Sequence, residues 1–419
     1  MFWRSFQLTL ALLSLLVLGN ESHPLIDPVE RVRAHTRALE FDFVTWTLDA
    51  AATKLTQGAV KADAYMDDTA SSRFVLDYMD IVWKIQTAES ELSLLHANPD
   101  PASISAQLEE TKDKLADLYA QRDKIAPLAE NILQRQIAAV ANDLGLAFGG
   151  QPIPPVLFHS TPLPWALIVS RRDAIQQDAN ISLETDLVLE DHITLENEVA
   201  SALNVSTLVV PVGGVGTYPS MVAQSSNLNW LAEVVAHEWI HNYLTLHPLG
   251  LLYNRDQELR TLNETTANLA GKEMGAAVIE RFYPQLVPAP PAPPPEALES
   301  GPLPQNDPPA FDFRAEMHAT RVRVDELLVN GRINQAEAFM EARRVVFWDH
   351  GYPIRKLNQA YFAFYGSYAD SPTGPAGEDP VGAAVRELRA RSQSLADFVQ
   401  RMAFITGLDQ LQTYLASLD

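Results

Sequence analysis

The amino-acid sequence predicts a mainly helical protein with a smaller β-sheet, in the α+β class. Helical periodicity dominates residues 25–148 and returns from about residue 312 onward. Between these regions, short runs of β-branched and aromatic residues in 151–224 are typical of strands. Apolar residues make up 47% of the 419 positions, which is enough to bury a large core. These three observations together indicate a globular chain with helical regions on both sides of a mixed core.

The N-terminal segment, residues 1–19, has the pattern of a secretory signal peptide. Arg4 gives a positive start, and an apolar run of about 12 residues extends from Leu8 to Gly19. This run is short for a membrane-spanning helix, which needs about 20 residues, although an uncleaved membrane anchor is the alternative. In either case we expect the rest of the chain to lie outside the cytoplasm, either secreted, periplasmic or attached to a membrane.

The N-terminal helical region, residues 25–148, is predicted to contain a helical hairpin. The segment Asp27-Pro-Val-Glu30 favours a helix start, with Asp as the N-cap and Pro in the first turn. Two long helices are expected at about 73–97 and 103–142, and the prolines of segment 98–101 break the chain between them. We expect the two helices to pack antiparallel as a scaffold; a coiled coil that binds a partner is the alternative.

The remaining chain divides into a core and a C-terminal helical region. The core covers residues 151–283, with strands expected at about 154–158, 165–170, 207–212 and 217–224, and helices at about 228–246 and 257–282. A Pro-rich segment, 284–310, holds 11 of the 28 prolines and is predicted to be a linker or loop. Residues 311–419 are predicted to be helical again.

The charge and the cysteine content exclude several kinds of partner and site. Lys and Arg number 31 and Asp and Glu 53, and the net charge of −22 argues against nucleic acid as a main partner. The chain has no cysteine, so disulfides and thiolate metal sites are impossible. Any metal ion must therefore be held by His, Asp or Glu.

The segment His237-Glu-Trp-Ile-His241 carries the clearest chemical signal. On a helix, residues four apart lie on one face, so His237 and His241 can direct two imidazoles at one ion. Glu238 lies beside the first ligand, where its carboxylate can reach a water molecule at that ion. Asn227 or Asn229 can cap the start of the helix. The sequence therefore predicts an HExxH metal-binding helix.

A catalytic zinc ion takes three protein ligands and keeps one open position, so a third ligand is required. His247 would complete the spacing HExxHxxGxxH, but Leu244 stands where that pattern has the Gly that turns the chain. On a continuing helix, His247 would point about 240° away from His241. Glu264 is the preferred candidate, because 23 residues allow a loop and a second helix to fold back from His241. Glu258 is the fallback.

The residues that follow Glu264 support this choice. Asn268 lies one helical turn further along, on the same face, where its side chain could orient a ligand imidazole. Gly271 and Gly275 fall on that face too, 7 and 11 residues after Glu264. Small residues at these positions would let the second helix approach the HExxH helix closely.

Together, His237-Glu-x-x-His241 and Asn263-Glu264-x-x-x-Asn268 resemble the gluzincin metallopeptidases, the thermolysin-like group, over about residues 205–282. In that group the second motif commonly reads NExxxD, so Asn268 stands where Asp is usual. The resemblance implies a thermolysin-like core with one Zn²⁺ ion on His237, His241 and Glu264. It also implies that Glu238 is the general base and that the substrate is a peptide or protein. The alternative is a catalytically silent, zinc-containing helical scaffold that binds partners, which would have no need of Glu238.

Candidates for an oxyanion donor lie in the C-terminal region. The uncharged segment 358–368 predicts a buried helix with Tyr361 and Tyr365 on one side, and either hydroxyl could donate to an oxyanion. The alternative is that both are core aromatics. His350 and Arg355 are further candidates.

A strand just before the HExxH helix is predicted to edge the substrate cleft. In enzymes of the group that this chain resembles, such a strand pairs with the extended substrate backbone. This reasoning selects Tyr218, Met221 and Val222 as residues at the cleft.

Overall fold

A computed structural model describes residues 27–60, 66–96, 105–289, 311–366 and 380–418. These residues are mainly helical with a smaller strand content, so the predicted fold class is confirmed. The predicted signal peptide or anchor, residues 1–19, lies outside them, as do the chain break at 98–101 and most of the Pro-rich segment. No helix among the described residues combines the length and apolar character needed to cross a membrane. The location of the protein stays a prediction.

Four helices form the N-terminal region: α1 Pro28–Thr36, α2 Phe43–Val60, α3 Asp68–His96 and α4 Ser105–Asp143. Asp27 caps α1 as predicted, since its carboxylate accepts the Val29 N–H at 2.9 Å. Segment 75–82, near the start of α3, packs against segment 132–137, near the end of α4. Segment 85–88, further along α3, packs against segment 115–118, near the start of α4. The predicted antiparallel hairpin is therefore confirmed.

The strands of the described chain form three small sheets. In order they are β1 Ala147–Phe148, β2 Gln151–Pro152, β3 Phe158–Ser160, β4 Trp165–Ser170, β5 Gln177–Leu183, β6 Ser206–Val210, β7 Gly214–Val215 and β8 Ser220–Val222, with helix α5 Leu189–Leu203 between β5 and β6. Strands β1 and β2 pair with each other, and the order β5-β4-β6 makes an antiparallel sheet. In the third sheet, β8 lies between β3, to which it is parallel, and β7, to which it is antiparallel.

Two helices and their connection position the chemistry: α6 Leu228–Leu244, α7 Pro248–Leu251 and α8 Gln257–Phe282, followed by a 3₁₀ turn at Pro284–Leu286. Asn227 caps α6 by accepting the Trp230 N–H at 3.2 Å. Helices α6 and α8 pack backbone to backbone: a Cβ on Gly271 would lie 3.0 Å from the His237 Cα, and one on Gly275 would lie 2.8 Å from the Glu233 Cα. The predicted close approach of the two helices is confirmed.

The C-terminal region divides into two helical groups: α9 Phe313–Val329, α10 Ile333–Asp349 and α11 Gln359–Tyr365, and then α12 Pro380–Arg391, α13 Leu395–Ala403 and α14 Leu408–Ala416. The first group packs on one face of the β5-β4-β6 sheet, while α1 and α5 cover the other face. The second group joins the hydrophobic core around α6 and α8. The second group therefore packs directly against the helix pair that carries the predicted ligands, whereas the first group packs on the neighbouring sheet.

Candidate metal centre

His237 and His241 of α6 and Glu264 of α8 bring three potential ligand atoms together. The two Nε2 atoms lie 3.0 Å apart, and Glu264 Oε2 lies 3.6 Å from His237 Nε2 and 3.3 Å from His241 Nε2. All three side chains are largely buried. Glu264 Oε2 is buried and accepts no hydrogen bond from any described residue. These residues form a group that could hold a metal ion.

The spacing of the three atoms fits a small tetrahedral ion. A zinc ion with bonds of about 2.0–2.1 Å to its ligands would hold neighbouring ligand atoms about 3.3 Å apart. The observed distances of 3.0, 3.3 and 3.6 Å lie on either side of that value. The helix pair therefore already holds the three donor atoms at the spacing that such an ion requires.

Two neighbouring side chains orient the ligand atoms. His241 Nδ1 lies 2.8 Å from the Asn263 carbonyl Oδ1, which can only accept a hydrogen bond. Nδ1 therefore carries a proton, and Nε2 is the nitrogen that can bind a metal once its own proton is displaced. The Tyr253 hydroxyl donates to Glu264 Oε1 at 2.5 Å, which leaves Oε2 facing the imidazoles.

The charges of His241 and Glu264 depend on each other. Burial favours a neutral His241, but Glu264, Glu238 and Asn263 together outweigh burial and raise the pKa of His241 to about 9. Burial likewise opposes ionisation of Glu264, but the two imidazoles outweigh it and lower the pKa of Glu264 to about 2. Glu264 is therefore an anion at neutral pH, and a metal cation would take the place of the proton on His241.

Glu238 lies on α6 immediately after His237 and is 5% exposed. Gly214 of β7 closes over its carboxylate, because a Cβ at that position would overlap the side chain. Burial raises the pKa of Glu238 to about 7, with His241 opposing and Glu264 reinforcing the shift. A carboxyl group whose pKa lies near neutral pH can both accept and donate a proton.

The three ligand residues and Glu238 line a cavity of about 480 Å³. Its other walls come from β7 and the turn after it, from the β4 and β5 strands, and from α11 through Phe364. The metal-binding group therefore has an open side from which a ligand can approach.

The two rejected ligand candidates lie away from this group. His247 Nδ1 bonds the Tyr243 carbonyl at 2.8 Å, and the two rings stack with centroids 4.5 Å apart. Glu258 accepts the Leu408 N–H at 2.7 Å. Helix α6 ends at Leu244 and the chain turns there, but it does not bring His247 to the metal face. The choice of Glu264 over both residues agrees with the structure.

The tyrosines predicted as oxyanion donors lie elsewhere. Tyr361 and Tyr365 pack against each other, with ring centroids 4.5 Å apart, within the core beneath the β5-β4-β6 sheet. Neither lines the cavity, whereas Phe364 of the same helix does. Both residues therefore match the alternative of core aromatics.

The two further oxyanion candidates are also engaged elsewhere. His350 stacks on Phe311 with ring centroids 3.9 Å apart. Arg355 forms an ion pair with the buried carboxylate of Glu196. Neither residue is among those that line the cavity.

The residues predicted to edge the cleft also require correction. Met221 and Val222 are fully buried in β8, and both edges of this strand are occupied by β3 and β7. A substrate strand therefore cannot pair with β8. The Tyr218 hydroxyl donates to the Pro155 carbonyl at 3.1 Å, outside the cavity lining. The strand that borders the cavity is β7, Gly214–Val215.

Sequence reasoning missed three residues of the site: Tyr253, Arg260 and Asn263. Asn263 bonds His241, a role that the sequence assigned to Asn268, which lies half-buried further along α8. Asn263 directly precedes Glu264 in the motif, so its position was a usable signal. Tyr253 lies in the connection between the two ligand-bearing helices, where no spacing rule points to it.

Comparisons of this chain with models of protein families, with curated proteins and with solved structures found no match. The resemblance to the gluzincin group therefore depends on the two motifs and on the geometry of the metal centre. The function has to be inferred from the chemistry of these residues.

Proposed function

We propose that this protein is a zinc-dependent peptidase in which His237, His241 and Glu264 hold the ion. The observation that carries the proposal is the convergence of three donor atoms at the wall of a cavity that Glu238 also lines. Structural zinc sites are usually closed by four protein ligands, whereas catalytic sites have three and an open position. A catalytically silent scaffold would have no need of a buried carboxylate beside the open side of the site.

The donor set favours Zn²⁺ over Mg²⁺ and Ca²⁺. Two imidazoles and one carboxylate suit zinc, while Mg²⁺ and Ca²⁺ prefer oxygen ligands alone. Among the residues that the structure describes, the group formed by His237, His241 and Glu264 provides one such set. We therefore propose a single zinc ion, in the manner of the gluzincin group.

The chain's own residues would perform the proton transfers. When bound, zinc supplies a Lewis acid that activates water and polarises the carbonyl group of the substrate. The Glu238 carboxylate accepts a proton from the attacking water while the water oxygen adds to the carbonyl carbon. Glu238 then gives this proton to the leaving nitrogen as the C–N bond breaks, so that a carboxylic acid and an amine are formed. Asn263 keeps His241 oriented and Tyr253 keeps Glu264 in place throughout.

The substitution Glu238→Gln tests this mechanism. The amide cannot accept the proton, so we expect hydrolysis of a mixed peptide library to fall by about 10²–10⁴-fold. Zinc content should stay at the wild-type level, because Glu238 is not one of the three ligands. The measurements are metal analysis of the purified protein and mass spectrometry of the peptide products.

Glu280→Gln is the matched control, because Glu280 is an exposed carboxylate on α8 and the charge change is the same. This variant should retain both zinc and activity. If zinc-loaded Glu238→Gln cleaves the library as fast as wild type, Glu238 is not the general base.

A further inference from the structure

The cavity contains an arginine that the proposed mechanism does not use. Arg260 lies on α8 one helical turn before Glu264 and lines the same cavity. Its Nε and Nη1 atoms are buried and donate to no acceptor in the described parts of the chain. Leaving charged donors buried and unsatisfied is destabilising, so such groups usually have a partner. A ligand in the cavity would provide one.

Arg260 is held beside the metal-binding residues by Tyr253. Its guanidinium carbon lies 5.4 Å from the centre of the Tyr253 ring, whose hydroxyl bonds Glu264. The guanidinium, the Tyr253 ring and the Glu264 carboxylate therefore follow one another along one cavity wall. An extended peptide spans about 3.3–3.6 Å per residue, so a short substrate segment can connect the guanidinium to the metal centre.

The charges that line the cavity select an anionic ligand. Among the described lining residues, Arg260 is the only lysine or arginine, and Glu238 and Glu264 are the only carboxylates. Both carboxylates already have roles in the proposed mechanism, so none is left to bind the amino group of a substrate. With a divalent ion bound, these groups give the cavity a net positive charge, although the protein as a whole carries −22.

We propose that Arg260 binds a carboxylate of the substrate, and that the site therefore acts near the carboxyl end of a peptide. This inference rests on the proposed peptidase function and adds the substrate class to it. A guanidinium can bind both oxygens of a carboxylate through two parallel N–H donors, which fixes the orientation of the chain end as well as its charge. The bond one or two residues before the free carboxylate would then lie at the metal centre. An Asp or Glu side chain presents the same chemistry and has to be separated by experiment.

Binding of short acetylated peptides tests the proposal without requiring hydrolysis. The probes are acetyl-Leu-Leu with a free carboxylate, acetyl-Leu-Leu-amide and acetyl-Leu-Glu-amide, titrated calorimetrically into the zinc-loaded Glu238→Gln protein. We expect the free acid to bind at least about tenfold more tightly than its amide. Adding Arg260→Gln should abolish this preference and leave binding of acetyl-Leu-Leu-amide unchanged.

The matched control is Arg281→Gln in the same background. Arg281 is an arginine of the same helix that is 43% exposed and forms an ion pair with Asp143. This variant should keep the full preference for the free acid. Arg260→Lys is the second test if Arg260→Gln does not fold: a single point charge should keep part of the preference.

The outcomes separate the roles that Arg260 could have. If acetyl-Leu-Glu-amide binds as tightly as the free acid and depends on Arg260, the carboxylate assignment stands and its source includes an acidic side chain. If the Arg260 variants bind all three probes as the parent does, or weaken acid and amide equally, Arg260 does not recognise a carboxylate. Failure of the peptidase proposal would show instead as wild-type protein that cleaves no peptide, while the binding preference could still be measured.

Discussion

Two buried carboxylates on long helices, Glu130 of α4 and Glu264 of α8, have similar surroundings and opposite hydrogen-bonding states. Both lie within reach of histidine, and both are nearly inaccessible to solvent. Glu130 bonds Lys54 Nζ at 2.5 Å and the Ser160 N–H at 2.9 Å, and it lies 3.1 Å from His159 Nδ1. Glu264 accepts one hydrogen bond, from Tyr253, and its second oxygen has no donor among the described residues.

The difference distinguishes a structural ion pair from a ligand site. Lys54 forms an ion pair with Glu130 and its side chain is only 7% exposed, so Glu130 already has the positive partner that a buried carboxylate needs. Glu264 faces two imidazoles and a cavity, and no lysine or arginine in the described parts of the chain bonds it. A buried carboxylate beside histidine therefore does not by itself indicate a metal site; the unsatisfied oxygen at a cavity does.

The largest effect is expected from Glu130→Gln. This change leaves the Lys54 ammonium buried without a counter-ion, and breaking a buried pair in this way costs about 3–5 kcal/mol. Zinc binding should stay at the wild-type level, because Glu130 is not part of the metal-binding group. Urea unfolding followed by circular dichroism gives the change in the free energy of unfolding, and metal analysis gives the zinc content.

The pH dependence of the stability loss in Glu130→Gln is a second test of the ion pair. Burial opposes ionisation of Glu130, but Lys54 and His159 outweigh it, so the pKa of Glu130 in the folded protein lies below its ordinary value of 4.5. Its stabilising contribution is therefore complete above about pH 4.5 and is lost as the pH falls below that value. The stability difference between wild type and variant should narrow in acid. Glu110→Gln, an exposed position on the same helix, should show neither effect.

The second largest effect is expected from Glu264→Gln. Unlike Glu130→Gln, this change should lower zinc affinity strongly and stability less. Loss of a zinc ligand should lower zinc affinity at least about a hundredfold, since loss of a residue that only supports a ligand already costs 10–100-fold. The loss of stability without zinc should be smaller than for Glu130→Gln, because His241 can become neutral when the Glu264 carboxylate is removed.

Competition with a coloured chelator measures the zinc affinity of this variant, and Glu258→Gln is its control. Glu258 was the fallback ligand and bonds the Leu408 N–H instead. If Glu258→Gln loses zinc and Glu264→Gln does not, the assignment of the third ligand is wrong.

The helical part of the metal centre could be predicted because it depends on the spacing of residues along single helices. The spacing of His237 and His241 follows from helical geometry, and Gly271 and Gly275 indicated which helix approaches closely enough to supply Glu264. Helix α8 begins and ends at the predicted residues. The positions of Tyr253 and Arg260 depend on how the connection between the two helices folds over them, which no sequence period encodes.

The sheets were less predictable, because strand order is not a local property. Strand β5 was missed since Gln177, Asp178 and Asn180 interrupt its apolar pattern. Strand β8 was expected at the edge of the cleft, but it is the middle strand of its sheet. The tyrosines of α11 are a second example of a non-local property. The sequence predicted that Tyr361 and Tyr365 share one side of the helix, but the packing of α11 on the sheet determines that this side faces the core.

The smallest effect is expected from the residue that orients the ligand His241, and it distinguishes Asn263 from Asn268 in that role. Asn263 is 1% exposed, and its Oδ1 fixes the tautomer and the orientation of His241. Asn263→Ala should lower zinc affinity by about tenfold, while Asn263→Asp retains an acceptor and should bind zinc almost as wild type does. The groups that donate to Glu130, Lys54 Nζ and the Ser160 N–H, are expected to affect stability alone. A change in zinc affinity without a change in stability would therefore be a property of the metal centre. If Asn268→Ala weakens zinc binding and Asn263→Ala does not, the orienting residue is Asn268, as the gluzincin motif implies, and the hydrogen bond from Asn263 serves only the packing of α8.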